Sequence, residues 1–297
     1  MIKGERMKRI RIFSSLCAVL LLICILAAIA GCGMQTREFS LKTRTLVTEE
    51  RYGADIGYKK YDDGSVIIVD HNGTGAVEIP ATLDGMPVVE LAASLFEGRE
   101  DITSLKLPDS LEIIGDLAFF NCTALASVEL GDSVWSIGLD AFRGTPWLDS
   151  LGDEFAVVGD GVLIKYNGDA QSVILPKEVR HVAGGVFATR KLKSVDLGSV
   201  FTLGKNAFNT CNTLIRVDGG DSLVMIGAGA FENCVCMEEI MLPKTLLEVR
   251  ENAFAACREL AVVVYYGTDV EFTHLSLGAG NDILADGAIV IYRTLAD

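Results

Sequence analysis

Residues Leu105 to Leu125 read Leu-Lys-Leu-Pro-Asp-Ser-Leu-Glu-Ile-Ile-Gly-Asp-Leu-Ala-Phe-Phe-Asn-Cys-Thr-Ala-Leu. The apolar positions are Leu105, Leu107, Leu111, Ile114, Ala118, Phe119, Cys122 and Leu125. They keep neither a helical period nor a long strand alternation. A short strand at Leu105 and Leu107 meets a turn at Pro108-Asp109-Ser110, and the chain dips inward again at Leu111 and Ile114. Gly115 bends it, and Ala118-Phe119 pack before the next unit starts. One such coil has an apolar edge with nothing to cover it, so it cannot fold alone. Stacked copies would share a continuous core.

The copies are present. Phenylalanines fall at Phe96, Phe119, Phe142, Phe187, Phe208, Phe231 and Phe254, with four spacings of 23, one of 21 and one of 45. Leu111 is echoed by Val134, Val179, Val200, Leu223 and Leu246. Ile114 is echoed by Ile137, Val182, Leu203, Ile226 and Val249, and Gly115 by Gly138, Gly204 and Gly227. The L-x-x-L-x-L signature of a leucine-rich repeat appears as Leu125-x-x-Val128-x-Leu130, Leu192-x-x-Val195-x-Leu197 and Met237-x-x-Ile240-x-Leu242.

Leu-Pro-x-x-Leu-x-x-Ile-Gly-x-x-Ala-Phe-x-x-Cys at Leu107 to Cys122, echoed from Leu242 to Cys257, resembles the BspA-like leucine-rich-repeat proteins of bacterial surfaces. The likeness covers roughly Tyr52 to Tyr292. It implies a right-handed solenoid of ~23-residue coils, with short parallel strands, turns and little helix. It also implies roles in surface attachment and ligand binding, and it brings no catalytic residue. The chain departs from the pattern at Arg99, Thr145 and Arg190, where the family favours Cys, and at Arg250, where it favours Gly.

Composition agrees with one repetitive domain. Half of the 297 residues are apolar, too many for a disordered chain. The formal charge is −14; residues 1–31 contribute five Lys/Arg and one Glu, so the remainder carries about −18. Such a body repels nucleic acid and anionic headgroups, and otherwise acts as a solvated surface.

Residues 1–31 read as a lipoprotein signal peptide. Lys3, Arg6, Lys8, Arg9 and Arg11 precede an apolar run from Ile12 to Ala30, which ends Ile29-Ala30-Gly31-Cys32. Small residues directly before a Cys look like a bacterial lipobox, which would place diacylglycerol on Cys32 and the protein on the outer face of the cell membrane. The alternative is an uncleaved span, since 19 residues can cross a bilayer. Residues 32–51 read as a tether and 52–98 as a capping hairpin with a first irregular repeat. Residues 99–260 read as the repeats, within which 144–170 is a modified hairpin coil that continues the stack. Residues 261–297 read as a C-terminal cap. Insertions in solenoids map to one face, so 144–170 has a second reading as a binding loop.

The search for chemistry returns little. His71, His181 and His274 lie far apart without metal-ligand spacing. His181, between the inward Val179 and Val182, is expected to point outward. Cys234-Val235-Cys236 is a lone C-x-C. Nucleophile elbows, Gly-rich phosphate loops and calcium loops are missing from the sequence. No catalytic residue, cofactor or metal is therefore assigned. Cys122, Cys211, Cys234 and Cys257 share one column, where a small buried hydrophobe fits, and are expected to stay reduced. The reading is a surface-displayed module that grips an extracellular protein or glycan, held to the membrane through Cys32. The alternatives are a cell-envelope enzyme and a structural spacer without a specific ligand. Strand alternation turns Ser104, Lys106, Ser127, Glu129, Ser194, Asp196, Arg216, Asp218 and Glu239 outward, and stacking is expected to join them in one sheet surface.

Overall fold

The computed structural model describes residues 44–293. The segment read as a signal peptide, Cys32 and the expected tether as far as residue 43 lie outside the described residues. The chain enters through an antiparallel set, β1 (Leu46–Tyr52), β2 (Ile56–Tyr61) and β3 (Val66–His71). β4 (Gly75–Glu78) then starts one face, and a small hairpin of β5 (Thr82–Leu83) with β6 (Met86–Leu91) leads to the other. From there each coil lays a strand on the first face and a two-residue strand on the second. These are β7 (Ile102–Lys106) with β8 (Ile113–Ile114), then β9 (Ser127–Glu129) with β10 (Ser136–Ile137).

The pattern is interrupted by α1 (Pro146–Ser150) and a hairpin of β11 (Phe155–Val158) and β12 (Val162–Tyr166). It resumes with β13 (Ser172–Ile174) and β14 (His181–Val182), β15 (Ser194–Asp196) and β16 (Thr202–Leu203), then β17 (Arg216–Asp218) and β18 (Met225–Ile226). The last coils hold β19 (Glu239–Pro243) and β20 (Glu248–Val249), β21 (Val262–Tyr266), α2 (Asp269–Thr273), β22 (Ser276–Leu277) and β23 (Ile289–Tyr292).

Strands pair in parallel with their copies one coil away. Val173, Val195, Val217, Ile240, Val263 and Val290 align in one register. Turns stack as well as strands: the Phe119 N–H donates to the Ala141 carbonyl and the Phe208 N–H to the Ala230 carbonyl, both at 2.7 Å. Backbone groups that a lone coil would leave unmet are thus met by the next one. This is the leucine-rich-repeat solenoid that the columns imply.

Each side-chain column has a physical role. The phenylalanines form a stacked ladder with ring centroids 4.8 to 5.4 Å apart. Behind them the buried thiols of Cys122, Cys211, Cys234 and Cys257 donate to the Phe carbonyl of the preceding coil, at 3.0 to 3.2 Å. At Gly227 a Cβ would lie 2.6 Å from the Leu203 carbonyl oxygen, so the corner admits only hydrogen.

Two residues after each Phe the backbone turns left-handed: Gly98, Asn121, Gly144, Thr189, Thr210, Asn233 and Ala256 all have φ between +55° and +79°. Gly and Asn accept this region readily, and other residues carry a cost of about 1–2 kcal/mol. Ala256 is exposed. Ala256→Asn should therefore raise the unfolding free energy by about 1 kcal/mol and Ala256→Val lower it, as read by urea denaturation.

Three readings need correction or refinement. The tether ends earlier than Arg51, because β1 starts at Leu46 and pairs with β2 throughout. The segment from 261 is built of further coils, since β21, β22 and β23 extend the same parallel sheets. Residues 144–170 continue the stack on one face only: β12 pairs with β14, and the Asp160 N–H donates to the Val134 carbonyl at 2.8 Å. On the first face no described strand lies between β9 and β13.

Candidate binding face

The first face carries every residue expected to point outward, but it is two sheets and not one. β4, β7 and β9 form the smaller, and β13, β15, β17, β19, β21 and β23 the larger. The break coincides with α1. Pro146 fixes the first helical turn, and the Thr145 side chain accepts from the Leu148 N–H at 3.2 Å, where a strand would otherwise form.

On the smaller sheet Ser104 pairs in register with Ser127, and Lys106 lies between Glu78 and Glu129. Lys106 Nζ reaches Glu78 at 2.7 Å. One lysine there stands between two carboxylates and pairs with one of them.

The larger sheet presents two rows. One runs Ser172, Ser194, Arg216, Glu239, Val262, Ile289; the other runs Ile174, Asp196, Asp218, Met241, Val264, Ile291. Arg216 and Glu239 approach to 3.6 Å. Asp196 and Asp218 stand side by side, which like charges on neighbouring strands resist. Each is steadied by the amide two residues on: Gly198 N–H donates to Asp196 Oδ1 at 2.9 Å and Gly220 N–H to Asp218 Oδ1 at 3.0 Å. Neither makes an ion pair with a described residue.

Sequence reasoning missed the apolar ends of these rows. Ile174 is 73% exposed, Ile289 68% and Ile291 40%. The same outward alternation within Ser172-Val173-Ile174 and Ile289-Val290-Ile291 would have found them.

His181 is the clear reversal. It is buried, with Nδ1 2.8 Å from Thr202 Oγ1 and its ring tilted against Trp135 and Phe201. Alternation does turn it away from the core, but the two large rings close over it. Burial, helped by Arg180, lowers its pKa to about 3, so the imidazole is neutral. His71 is also buried, while His274 ends α2. Among the described residues no three of His, Cys, Asp and Glu gather as metal ligands would.

Burial pushes the thiol pKa up to about 11 at Cys122 and about 12 at Cys211 and Cys257, and raises that of Cys234 too. Only the thiolate reacts. In the native protein at pH 8, iodoacetamide should therefore label the exposed Cys236 and spare these four. All four should become reactive on unfolding without reductant. If they stay unreactive in denaturant, they are paired.

These features, parallel strands stacked once per coil over a shared ladder, define a leucine-rich-repeat solenoid. More narrowly, residues 89–153 and 165–265 match the BspA type leucine-rich repeat region in six copies, and the chain belongs to that family. Its solenoid is similar to a Treponema pallidum leucine-rich repeat protein at 25% identity and TM-score 0.34, over 77% of this chain and 86% of that one. A leucine-rich cell surface protein from Faecalibacterium prausnitzii is 18% identical, with TM-score 0.33, over 77% of this chain and 98% of its own. A leucine-rich repeat protein from Bacteroides ovatus is 19% identical, with TM-score 0.34, over 87% of this chain and 72% of its own. No curated protein matches the chain.

Proposed function

We propose that the protein is a surface-displayed binding module that grips a partner protein through the larger outer sheet. The supporting observation is the Asp196–Asp218 pair, two carboxylates aligned on adjacent strands without an ion-pair partner among the described residues. A partner that offers Lys or Arg would relieve their repulsion, and solenoids use stacked faces of this kind. Exposed Ile174, Ile289 and Ile291 supply apolar contact at the two ends of the rows. Binding, not catalysis, is the proposed activity. No nucleic acid is expected as partner of so acidic a body. Display on the outer face of the cell membrane through lipid on Cys32 completes the reading; no helix among the described residues is long and apolar enough to cross a membrane.

Reversal of the two aspartates to Lys would also remove the bonds to Gly198 and Gly220, so the cleaner variant is Asp196→Asn with Asp218→Asn. It keeps each Oδ1 acceptor and removes the charge. Stability should stay within about 0.5 kcal/mol. Capture of basic envelope or host proteins by the chain from Gly33 should fall about tenfold at low salt, and less at high salt. Undiminished capture at both ionic strengths would sink this face as the site.

A further inference from the structure

Most ladder phenylalanines pass their backbone N–H to the next coil. Those of Phe96, Phe119, Phe187, Phe208 and Phe231 donate to the carbonyls of Ala118, Ala141, Ala207, Ala230 and Ala253, at 2.7 to 2.8 Å. At the end of the ladder a buried side chain takes over, and Asn281 Oδ1 accepts from the Phe254 N–H at 3.0 Å. Phe142 departs from this. Its N–H has no hydrogen-bond partner among the described residues, although the residue is only 2% exposed. The matching acceptor on the next turn is the Val186 carbonyl, which receives no donor from the described residues either. Buried backbone groups are rarely left unmet in folded proteins.

The cause is the hairpin of β11 and β12. It supplies the coil between Phe142 and Phe187 on the second face, where β12 pairs with β14. It then turns inward at Tyr166, whose ring packs beneath Phe187, and does not round the corner as the other coils do. At the corner itself the seam is closed, because the Gly184 N–H donates to the Ile137 carbonyl at 3.1 Å. Past the corner a cavity of about 160 Å³ separates the two turns, and Phe142 and Val186 both line it. A cavity of about this size can hold a ligand as large as benzene, so one small residue fits where a whole coil would not.

Charge narrows the occupant. The charged residues that line the cavity are Arg143, Lys165, Arg190 and Asp140, three cations and one carboxylate, or +2 in a chain of −14. Asp140 is shared with Arg143 at 3.3 Å. Lys165 and Arg190 make no ion pair with a described residue. Their donors go to backbone carbonyls. Lys165 Nζ reaches those of Leu148, Asp149 and Leu151 at 3.0, 3.3 and 3.2 Å, and Arg190 those of Tyr166 and Gly168 at 2.5 and 3.4 Å. Carbonyls hold the two cations in place without cancelling their charge.

The cleft thus offers a backbone donor on one wall, a backbone acceptor on the other and a cationic lining, and it is closed at one end. An amine meets the wrong charge. An inner stretch of a peptide would have to run through the closed corner. The last residue of a peptide fits, because its N–H and its carboxylate are separated only by Cα. Backbone capture of a chain-end carboxylate is a recurring recognition mode.

We infer that this cleft binds the C-terminal residue of a peptide from another protein. The Phe142 N–H donates to its carboxylate beside Arg143 and Arg190, and its own N–H donates to the Val186 carbonyl. The site lies apart from the outer sheet and prefers the opposite charge, so neither reading depends on the other.

The test uses the full chain, isotope-labelled, in a non-ionic detergent. The probes are acetyl-Ala-Ala-Ala with a free C-terminus, the same peptide as its C-terminal amide, and acetate. The free acid should bind and shift the NMR signals of the Phe142 amide and its neighbours. Amidation should weaken binding by about tenfold or more, since it removes charge-assisted hydrogen bonds. Arg143→Glu should weaken the free acid about tenfold at low salt with the Tm nearly unchanged, because that side chain is 69% exposed and pairs only with Asp140. Without peptide, the Phe142 amide should exchange with solvent faster than those of Phe119 and Phe208. The inference is overturned if the free acid does not bind, or if the amide or Arg143→Glu binds as tightly as the parent pair. It is equally overturned if acetate reproduces the shifts at the same concentration, which would mark a site for any small anion. Exchange at Phe142 as slow as at Phe119 would overturn it too, since the protein itself then supplies the partner.

Discussion

Phe208→Ala should lower the unfolding free energy by about 3–5 kcal/mol, the range for truncating a fully buried aromatic ring. Phe208 is 0% exposed and stacks on Phe187 at 4.8 Å with a 2° tilt and on Phe231 at 5.2 Å with an 11° tilt. Both stacks are lost together, and the neighbours cannot collapse into the hole. The backbone at 208 is pinned by its N–H to Ala230, and its carbonyl receives the Cys234 thiol at 3.2 Å. A domain stable by the usual 5–15 kcal/mol loses a large share of its margin. Because each coil touches only its neighbours, the damage should be local at first. Hydrogen exchange should quicken most around 187–231, and urea should show a broadened or earlier transition. A loss under about 1 kcal/mol would mean that the ladder is not the spine of the core.

That spine was legible from sequence because it is periodic. Seven phenylalanines, the aliphatic Leu111 and Ile114 columns and the glycine corners recur at a spacing of 23 in most coils, and the structure stacks the rings in two runs, Phe96 to Phe142 and Phe187 to Phe254. What was not legible is what breaks the period. His71 and Tyr166 belong to the ladder, yet neither is a phenylalanine and neither falls on the 23-residue count. The visible trace was Arg99 and Arg190 in the cysteine column. Each stands where the coil beneath ends in one of these two rings, and each uses a long side chain to reach the carbonyls that a thiol reaches elsewhere. The outer face was half legible. Alternation placed Asp196 and Asp218 in the rows where they stand in register, both half-buried, but it could not show that α1 splits the face, nor that Trp135 and Phe201 close over His181. The burial of His181 depends on neighbours 20 and 46 residues away, Phe201 and Trp135, which no local pattern encodes; the helix start at Thr145-Pro146 is local, but not its effect on the sheet.

Cys32→Ala should abolish lipidation and leave a larger precursor, an all-or-none effect. Location alone is a poor readout. An uncut leader still carries the 19-residue stretch from Ile12 to Ala30, apolar except for Ser14 and Ser15 and long enough to hold a chain in a bilayer. The informative measurements are intact mass and incorporation of a labelled fatty acid. The parent should begin at Cys32 with acyl chains attached, and the variant should begin at its original start with none. Two or more chains matter, because each buried CH₂ contributes about 0.8 kcal/mol and a single chain holds only reversibly. The charge of the rest of the chain adds a consequence. Some −18 of charge follows the leader, and anionic headgroups repel it within a Debye length of about 8 Å at physiological salt. The first strand begins at Leu46, and the residues between Cys32 and that strand could span roughly 40 Å if extended. That reach exceeds the repulsive layer several-fold, so a lipid anchor and an acidic solenoid are compatible. Labelled fatty acid that still enters Cys32→Ala, with cleavage at the same place, would remove the lipobox reading and leave the membrane attachment to the apolar run.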